Sequence, residues 1–135
     1  MNYWLLKTEP NTFGWNDLVK EKKSVWDGVR NFQARKNLKS MSVGDLAFIY
    51  HTGDEKSVVG IAKVIKAPYP EPKDKNWIAV DISPSKKLKN PVSLAEVKAT
   101  KKLEKMVLVR VSRLSVQPVS KSEFESVISM SEKTR

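Results

Sequence analysis

Twelve consecutive residues, Ser24-Val25-Trp26-Asp27-Gly28-Val29-Arg30-Asn31-Phe32-Gln33-Ala34-Arg35, gather side chains suited to holding a ligand. Trp26 offers a large flat π-face. Asp27-Gly28 is a turn pair whose glycine is free to take positive φ. Directly after it, Ala34, Leu38 and Met41 fall at i, i+4 and i+7, one face of a 3.6-residue period. Arg30, Asn31 and Gln33 therefore collect at a helix start. Unpaired N–H groups and a partial positive charge there suit an anion or a hydrogen-bond acceptor. A flat aromatic beside such an end can seat a nucleobase and its phosphate. The same residues admit a plainer reading, with Trp26 as a core anchor and Arg30 and Arg35 as solvated helix arginines.

Catalytic hardware is sparse. The chain has one histidine, His51, and no cysteine, so neither a histidine cluster nor a thiolate site can form around a metal. It holds no Gly-x-Ser-x-Gly elbow, no phosphate loop and no dinucleotide fingerprint. The carboxylates show no pairing. His51, beside Tyr50, reads as a hydrogen-bonded wall residue more than a general base. A binding module without cofactor or metal is the expectation, not an enzyme. A nucleotide-processing enzyme using His51 or Glu9 as acid and base is the lesser alternative. Lys7, Thr8 and Glu9 sit at a strand end, where sites often lie, although Lys7 and Glu9 could equally form a surface ion pair.

The rest of the chain must position these groups. A length of 135 residues predicts one domain, spanning 1–135, with a real core. The net charge of +10 favours a polyanionic partner, nucleic acid before anionic membrane. Most of the basic residues are lysines, which favours phosphate contact over base reading. A structural module whose charge only keeps it soluble is the blander alternative. There is no apolar run long enough to span a membrane and no signal-like start, so a cytoplasmic protein without a leader is expected. The absence of cysteine fits a reducing compartment.

Tyr3 to Thr8 reads as a strand ended by Glu9-Pro10. A short helix is expected over 15–22, with Gly14 or Thr12 as its cap, and a second over 30–40. Ser42-Val43-Gly44-Asp45 reads as a turn. Leu46 to Thr52 alternates, with Leu46, Phe48 and Tyr50 on one side. Thr52 to Lys56 is hairpin-like. Val58 to Lys66 is the clearest strand, and its Gly60 and Ala62 suit a curved inner wall. Ala67 to Asn76, with Pro68, Pro70 and Pro72, reads as an extended loop outside the sheet. Trp77 to Ser83 is a strand, followed by Lys86-Lys87-Leu88-Lys89 as a solvated strand end. Ser93-Leu94-Ala95-Glu96 and Ser120-Lys121-Ser122-Glu123 match capping boxes, each opening a helix. Met106 to Val111 is ambiguous by period. Arg113 to Val119 reads as a last strand, and residues 131–135 should fray. Most of the four tryptophans, Trp4, Trp15, Trp26 and Trp77, should be core, with one or two lining a cage. Five or six strands interleaved with short helices predict an α+β fold built on a small mixed barrel.

Several segments together resemble the EVE domain, of the PUA-like group. They are Tyr3-Trp4-Leu5-Leu6-Lys7-Thr8-Glu9-Pro10, Trp26 to Arg35, Met41-Ser42-Val43-Gly44-Asp45, Phe48-Ile49-Tyr50-His51, Val59-Gly60-Ile61-Ala62, Tyr69-Pro70-Glu71-Pro72, Lys98-Ala99 and Arg113 to Val119. They occur in family order over nearly the whole chain. The resemblance implies a PUA-like mixed β-barrel of five to six strands with short helices packed at its sides, related to YTH domains and to thymocyte nuclear protein. It implies a pocket that reads a modified base, a modified cytosine flipped from DNA. A PUA-like module recognising modified RNA is the alternative. By the resemblance, Trp26 stacks on the base and Arg30 and Asn31 stand at the pocket mouth. Lys7, Thr8 and Glu9 form a second wall, Tyr50 and His51 a third, Ser115 and Gln117 a fourth. The partner is then nucleic acid carrying a modified base, with no membrane or protein partner, and the protein a monomer. Gly14 departs from the family, which has serine there. A stand-alone protein of bacterial type is expected, without the basic N-terminal extension of eukaryotic members.

Overall fold

The computed structural model describes residues 1–133. In chain order it comprises β1 (Tyr3–Thr8), α1 (Trp15–Glu21), β2 (Ser24–Trp26), α2 (Phe32–Lys39), β3 (Leu46–His51), β4 (Ser57–Pro70), β5 (Ile78–Ser93), α3 (Leu94–Lys98), a 3₁₀ turn at Lys101–Leu103, α4 (Val107–Arg110), β6 (Val116–Val119) and α5 (Lys121–Glu132). The strands form one mixed sheet in the order β2-β5-β4-β3-β1-β6. Only β1 and β3 run parallel.

Period-2 alternation divides the central strands between two cores. Trp4 and Leu6 of β1, with Ala47 and Ile49 of β3, face the first, under α1 and α2. Leu5, Phe48 and Tyr50 face the second, where Phe124 of α5 stacks on Phe48 with ring centroids 4.3 Å apart. The Asp45 carboxylate ties the first core to the turn before β3. It accepts from the Trp4 indole N–H, the Asn2 N–H and the Ser42 N–H. Both capping boxes form, at Ser93/Glu96 and Ser120/Glu123. Gly14 precedes α1 with no side chain to cap it, and the Asp17 carboxylate accepts the Gly14 N–H.

Register shifts recur along the β4–β5 pair and bend the sheet. At the bend Gly60 faces Trp15. A Cβ on Gly60 would lie 2.5 Å from the indole ring, so the small residue expected on a curved wall is required by contact. The sheet curls without closing. Helix α2 packs against β5 near one end and β6 at the other, bridging the gap. The Asn37 amide, which is buried, donates to the Val116 carbonyl at 2.7 Å and fixes the helix on β6.

Several boundaries differ from expectation. Ala67 to Pro70 belongs to β4, with Tyr69 opposite Ala79 and Pro70 opposite Ile78. Pairing with β3 ends at Lys63, so the prolines lie where β4 has one partner only and a missing N–H is tolerated. Lys86 to Lys89 lies inside β5, with the lysines exposed and Leu88 buried, so it is a solvated face rather than an end. Ser24 to Trp26 is a short strand. Met106 to Val111 resolves into α4, and the last strand begins only at Val116. Ser131 is held rather than frayed. Its hydroxyl donates to the Asn90 carbonyl at 2.7 Å and accepts the Asn90 N–H. Thr134 and Arg135 lie outside the described residues.

Candidate functional site

The curl brings the C-terminal end of β1 opposite the turn that follows β2. Between them lies a cleft of about 310 Å³. Lys7, Thr8 and Glu9 form one wall and Trp26, Asp27 and Arg30 the other, with Ser115 at the β6 side. Six of the ten residues singled out in the sequence therefore meet here: Lys7, Thr8, Glu9, Trp26, Arg30 and Ser115.

Each wall has a local cause. The Lys7 N–H donates to the Ser115 carbonyl at 2.9 Å, extending the β1–β6 ladder by one step and bringing Ser115 to the rim. The Lys7 ammonium donates to the Ser112 carbonyl and sits 5.6 Å from the centre of the Tyr50 ring. Burial lowers its pKa below the ordinary lysine value. The Thr8 hydroxyl donates to the Phe13 carbonyl at 2.6 Å, so it holds the following turn while lining the cleft. The Glu9 carboxylate accepts the Asn11 N–H at 3.2 Å and leans toward Gly53. The ring of Trp26 is half-buried and meets Phe13 edge-on, with centroids 6.2 Å apart.

The turn after Trp26 is fixed by Glu71. Its carboxylate is 1% exposed and accepts two parallel bonds from Arg30, 2.8 and 2.7 Å long, and a third from the Gly28 N–H at 3.2 Å. Gly28 has a φ of +76°, as a turn of this shape requires. Hydrogen bonding from Arg30 holds the Glu71 carboxyl below the usual carboxylate range, against the opposing effect of burial. The same pairing raises Arg30. Arg30 thus stands at the mouth, but its guanidinium is spent on the scaffold.

Four expected residues lie elsewhere. Asn31 caps α2, its side-chain oxygen accepting the Ala34 N–H at 2.9 Å, so the helix start is closed by its own chain. Tyr50 is buried in the second core beneath Lys7, and burial raises its phenol pKa. His51 is buried with both ring nitrogens engaged. Nε2 accepts the Trp15 N–H at 3.0 Å, which leaves Nδ1 to donate to Glu55 at 2.6 Å. His51 therefore anchors the start of α1. Gln117 is fully buried and its amide donates to the Leu114 carbonyl at 2.8 Å, shaping the turn that carries Ser115. Its Oε1 is buried without a partner among the described residues. No group of three or more His, Asp or Glu among the described residues is arranged to hold a metal ion, and no helix there is long and apolar enough to cross a membrane.

Two contributors went unseen in the sequence. Glu71 falls in the family-like Tyr69-Pro70-Glu71-Pro72 segment, but nothing in a loop reading of that segment marks its carboxylate as buried against Arg30. Asp27 enters the sequence reading as a turn residue only, and in the structure it lines the cleft beside Trp26.

Residues 2–130 match the family profile described as EVE domain. The chain is 33% identical to thymocyte nuclear protein 1 of Homo sapiens over 168 aligned positions, covering 98% of this chain and 75% of that protein. A crystal structure of a protein from Agrobacterium tumefaciens superposes with a TM-score of 0.94 at 43% identity, over 98% of this chain and 94% of that one. The crystal structure of human THYN1 in complex with DNA containing 5-methylcytosine superposes with a TM-score of 0.92 at 31% identity, over the whole of both chains.

Proposed function

This chain belongs to the EVE domain family, and on that premise we propose that it binds DNA and reads a modified cytosine in the cleft beside Trp26. The observation that carries the reading is the meeting of a half-buried indole with hydrogen-bonding groups of both kinds in one cleft. An extruded base is read by stacking and by bonds to its Watson–Crick edge. A cytosine presents an exocyclic amine that donates and ring positions that accept. Asp27 and Glu9 are acceptors for the amine. Lys7 and Ser115 supply donors for the accepting edge. Trp26 and the buried Val29 offer apolar contact to a 5-substituent. The size of the cleft, near the low end of ligand pockets, fits one base.

The likeness to a DNA-bound relative and the charge of +10 support a nucleic-acid partner. The test is binding to matched DNA and RNA oligonucleotides, each plain or carrying 5-methylcytosine, 5-hydroxymethylcytosine or N6-methyladenine, at near-physiological salt. Tighter binding to a cytosine-modified DNA is the expected result. A preference for a modified RNA would reassign the ligand, and equal salt-sensitive binding to every member would remove the reading.

A further inference from the structure

We propose that a second surface, built from Phe32 and Trp77 and ringed by Arg35, Lys36, Lys39 and Lys75, binds the DNA strand flanking the nucleotide held in the cleft. The proposal rests on the cleft reading above and extends it from one base to its neighbours.

Among the described residues Phe32 is the one exposed aromatic side chain, 70% accessible at the first position of α2. Trp77 stacks against it with centroids 5.4 Å apart and planes inclined by 22°. The Arg35 guanidinium lies 5.1 Å from the Phe32 ring centre and 5.5 Å from that of Trp77, and donates to the Asn76 carbonyl at 2.8 Å. The platform is therefore locked before any ligand arrives, although Phe32 itself stays in water. Lys36, Lys39 and Lys75 join Phe32 and Arg35 in lining a groove of about 680 Å³ beside this ring pair, and no carboxylate among the described residues lines it. Stacked aromatic faces set among cations are how proteins hold a nucleic-acid strand without reading its sequence, the rings taking bases and the cations taking phosphates. An acidic peptide would use the lysines and leave the two-ring face without purpose.

The surface is continuous with the cleft. Arg30, at the cleft mouth, places its guanidinium 5.2 Å from the Trp77 ring centre. The Arg30–Glu71 pair thus stands between the two surfaces and sets their relative position.

The experiment compares wild type, Phe32→Ala, Phe32→Tyr and the double variant Lys36→Ala with Lys39→Ala, all as the full chain. Oligonucleotides carry one 5-methylcytosine or none, with 2-aminopurine walked through the flanking positions. Phe32→Ala should weaken binding roughly tenfold, the scale of one lost base–aromatic stack. The methylated-to-plain ratio should be unchanged, and Phe32→Tyr should restore the affinity. In wild type, 2-aminopurine at one flanking position should lose fluorescence on binding, and Phe32→Ala should abolish that change. The lysine variant should make the slope of log K against log salt shallower by roughly 1.5–2. Wild-type affinity and an unchanged 2-aminopurine signal in Phe32→Ala would overturn the proposal. The cleft reading fails separately, by loss of the methylated-to-plain preference in wild type itself. In that event a drop in plain-DNA binding by Phe32→Ala still supports the platform.

Discussion

Arg30 and Glu71, 41 positions apart, meet through two parallel hydrogen bonds while the Gly28 N–H binds the same carboxylate. A turn of the chain and a distant inter-strand connection are thereby fastened at one point. The geometry is bidentate, which a lysine cannot reproduce. Arg30→Lys should lower the melting temperature and weaken modified-base binding together, because the turn carrying Trp26 and Asp27 loses its support. Thermal unfolding and oligonucleotide titration on the same preparation check it. Full wild-type binding in Arg30→Lys would show that the pair does not position the cleft.

The same pair gives stability a pH dependence of known sign. The folded Glu71 carboxyl sits below its ordinary value of 4.5. Its contribution is therefore complete above that value and is lost as pH falls through the lower folded pKa. Glu71→Gln should be less stable than wild type at neutral pH, and the difference should shrink below about pH 4.5. Denaturant midpoints measured in steps from pH 7 to pH 3 would show the two curves converging.

Trp26 is expected to carry discrimination and not background affinity. Trp26→Ala should cost about 1–3 kcal/mol toward the modified oligonucleotide, the worth of one stacked base. Salt-dependent binding to plain DNA should persist. A preserved preference for the modified base would move the recognition site away from this cleft.

His51 distinguishes an anchor from a participant. With both nitrogens engaged by Trp15 and Glu55, His51→Ala should reduce stability by about 1–3 kcal/mol through the unpaired N–H it leaves. The ratio of modified to plain binding should not change. Loss of that ratio at unchanged stability would return His51 to the binding wall.

Gly60 is a packing requirement. Gly60→Ala drives a methyl into Trp15 and should destabilise by about 1–3 kcal/mol, as overpacking does. A shifted urea midpoint at constant slope is the signature, and oligonucleotide preference should survive.

What the sequence disclosed follows the range of the forces involved. The alternation of Leu46 to His51 sorts its side chains into the two cores as expected, and both capping boxes form, because these patterns are settled within a few residues. The prolines of Ala67 to Pro70 argued against a strand, and only the one-sided pairing of that part of β4 makes them tolerable. Family likeness carried Lys7, Trp26 and Ser115 to one place across long separations, which spacing alone could not do. His51 and Gln117 lie off the cleft because each is buried and held by its own partners, His51 by Trp15 and Glu55 and Gln117 by the Leu114 carbonyl. A hydrogen bond to Trp15, or to the Leu114 carbonyl, leaves no mark in the sequence.

Because α2 packs on β5 and on β6, across the gap in the curled sheet, its girth bears on how far those two edges of the sheet stand apart. Ala34 and Leu38 point inward on that helix, in the core that Val29 shares and Trp26 packs against, and are not among the residues lining the cleft. Resizing them adjusts the aperture from behind. If the cleft reads a modified cytosine as proposed, its tolerance for a bulkier substituent should shift with the girth of this helix while every cleft side chain stays in place.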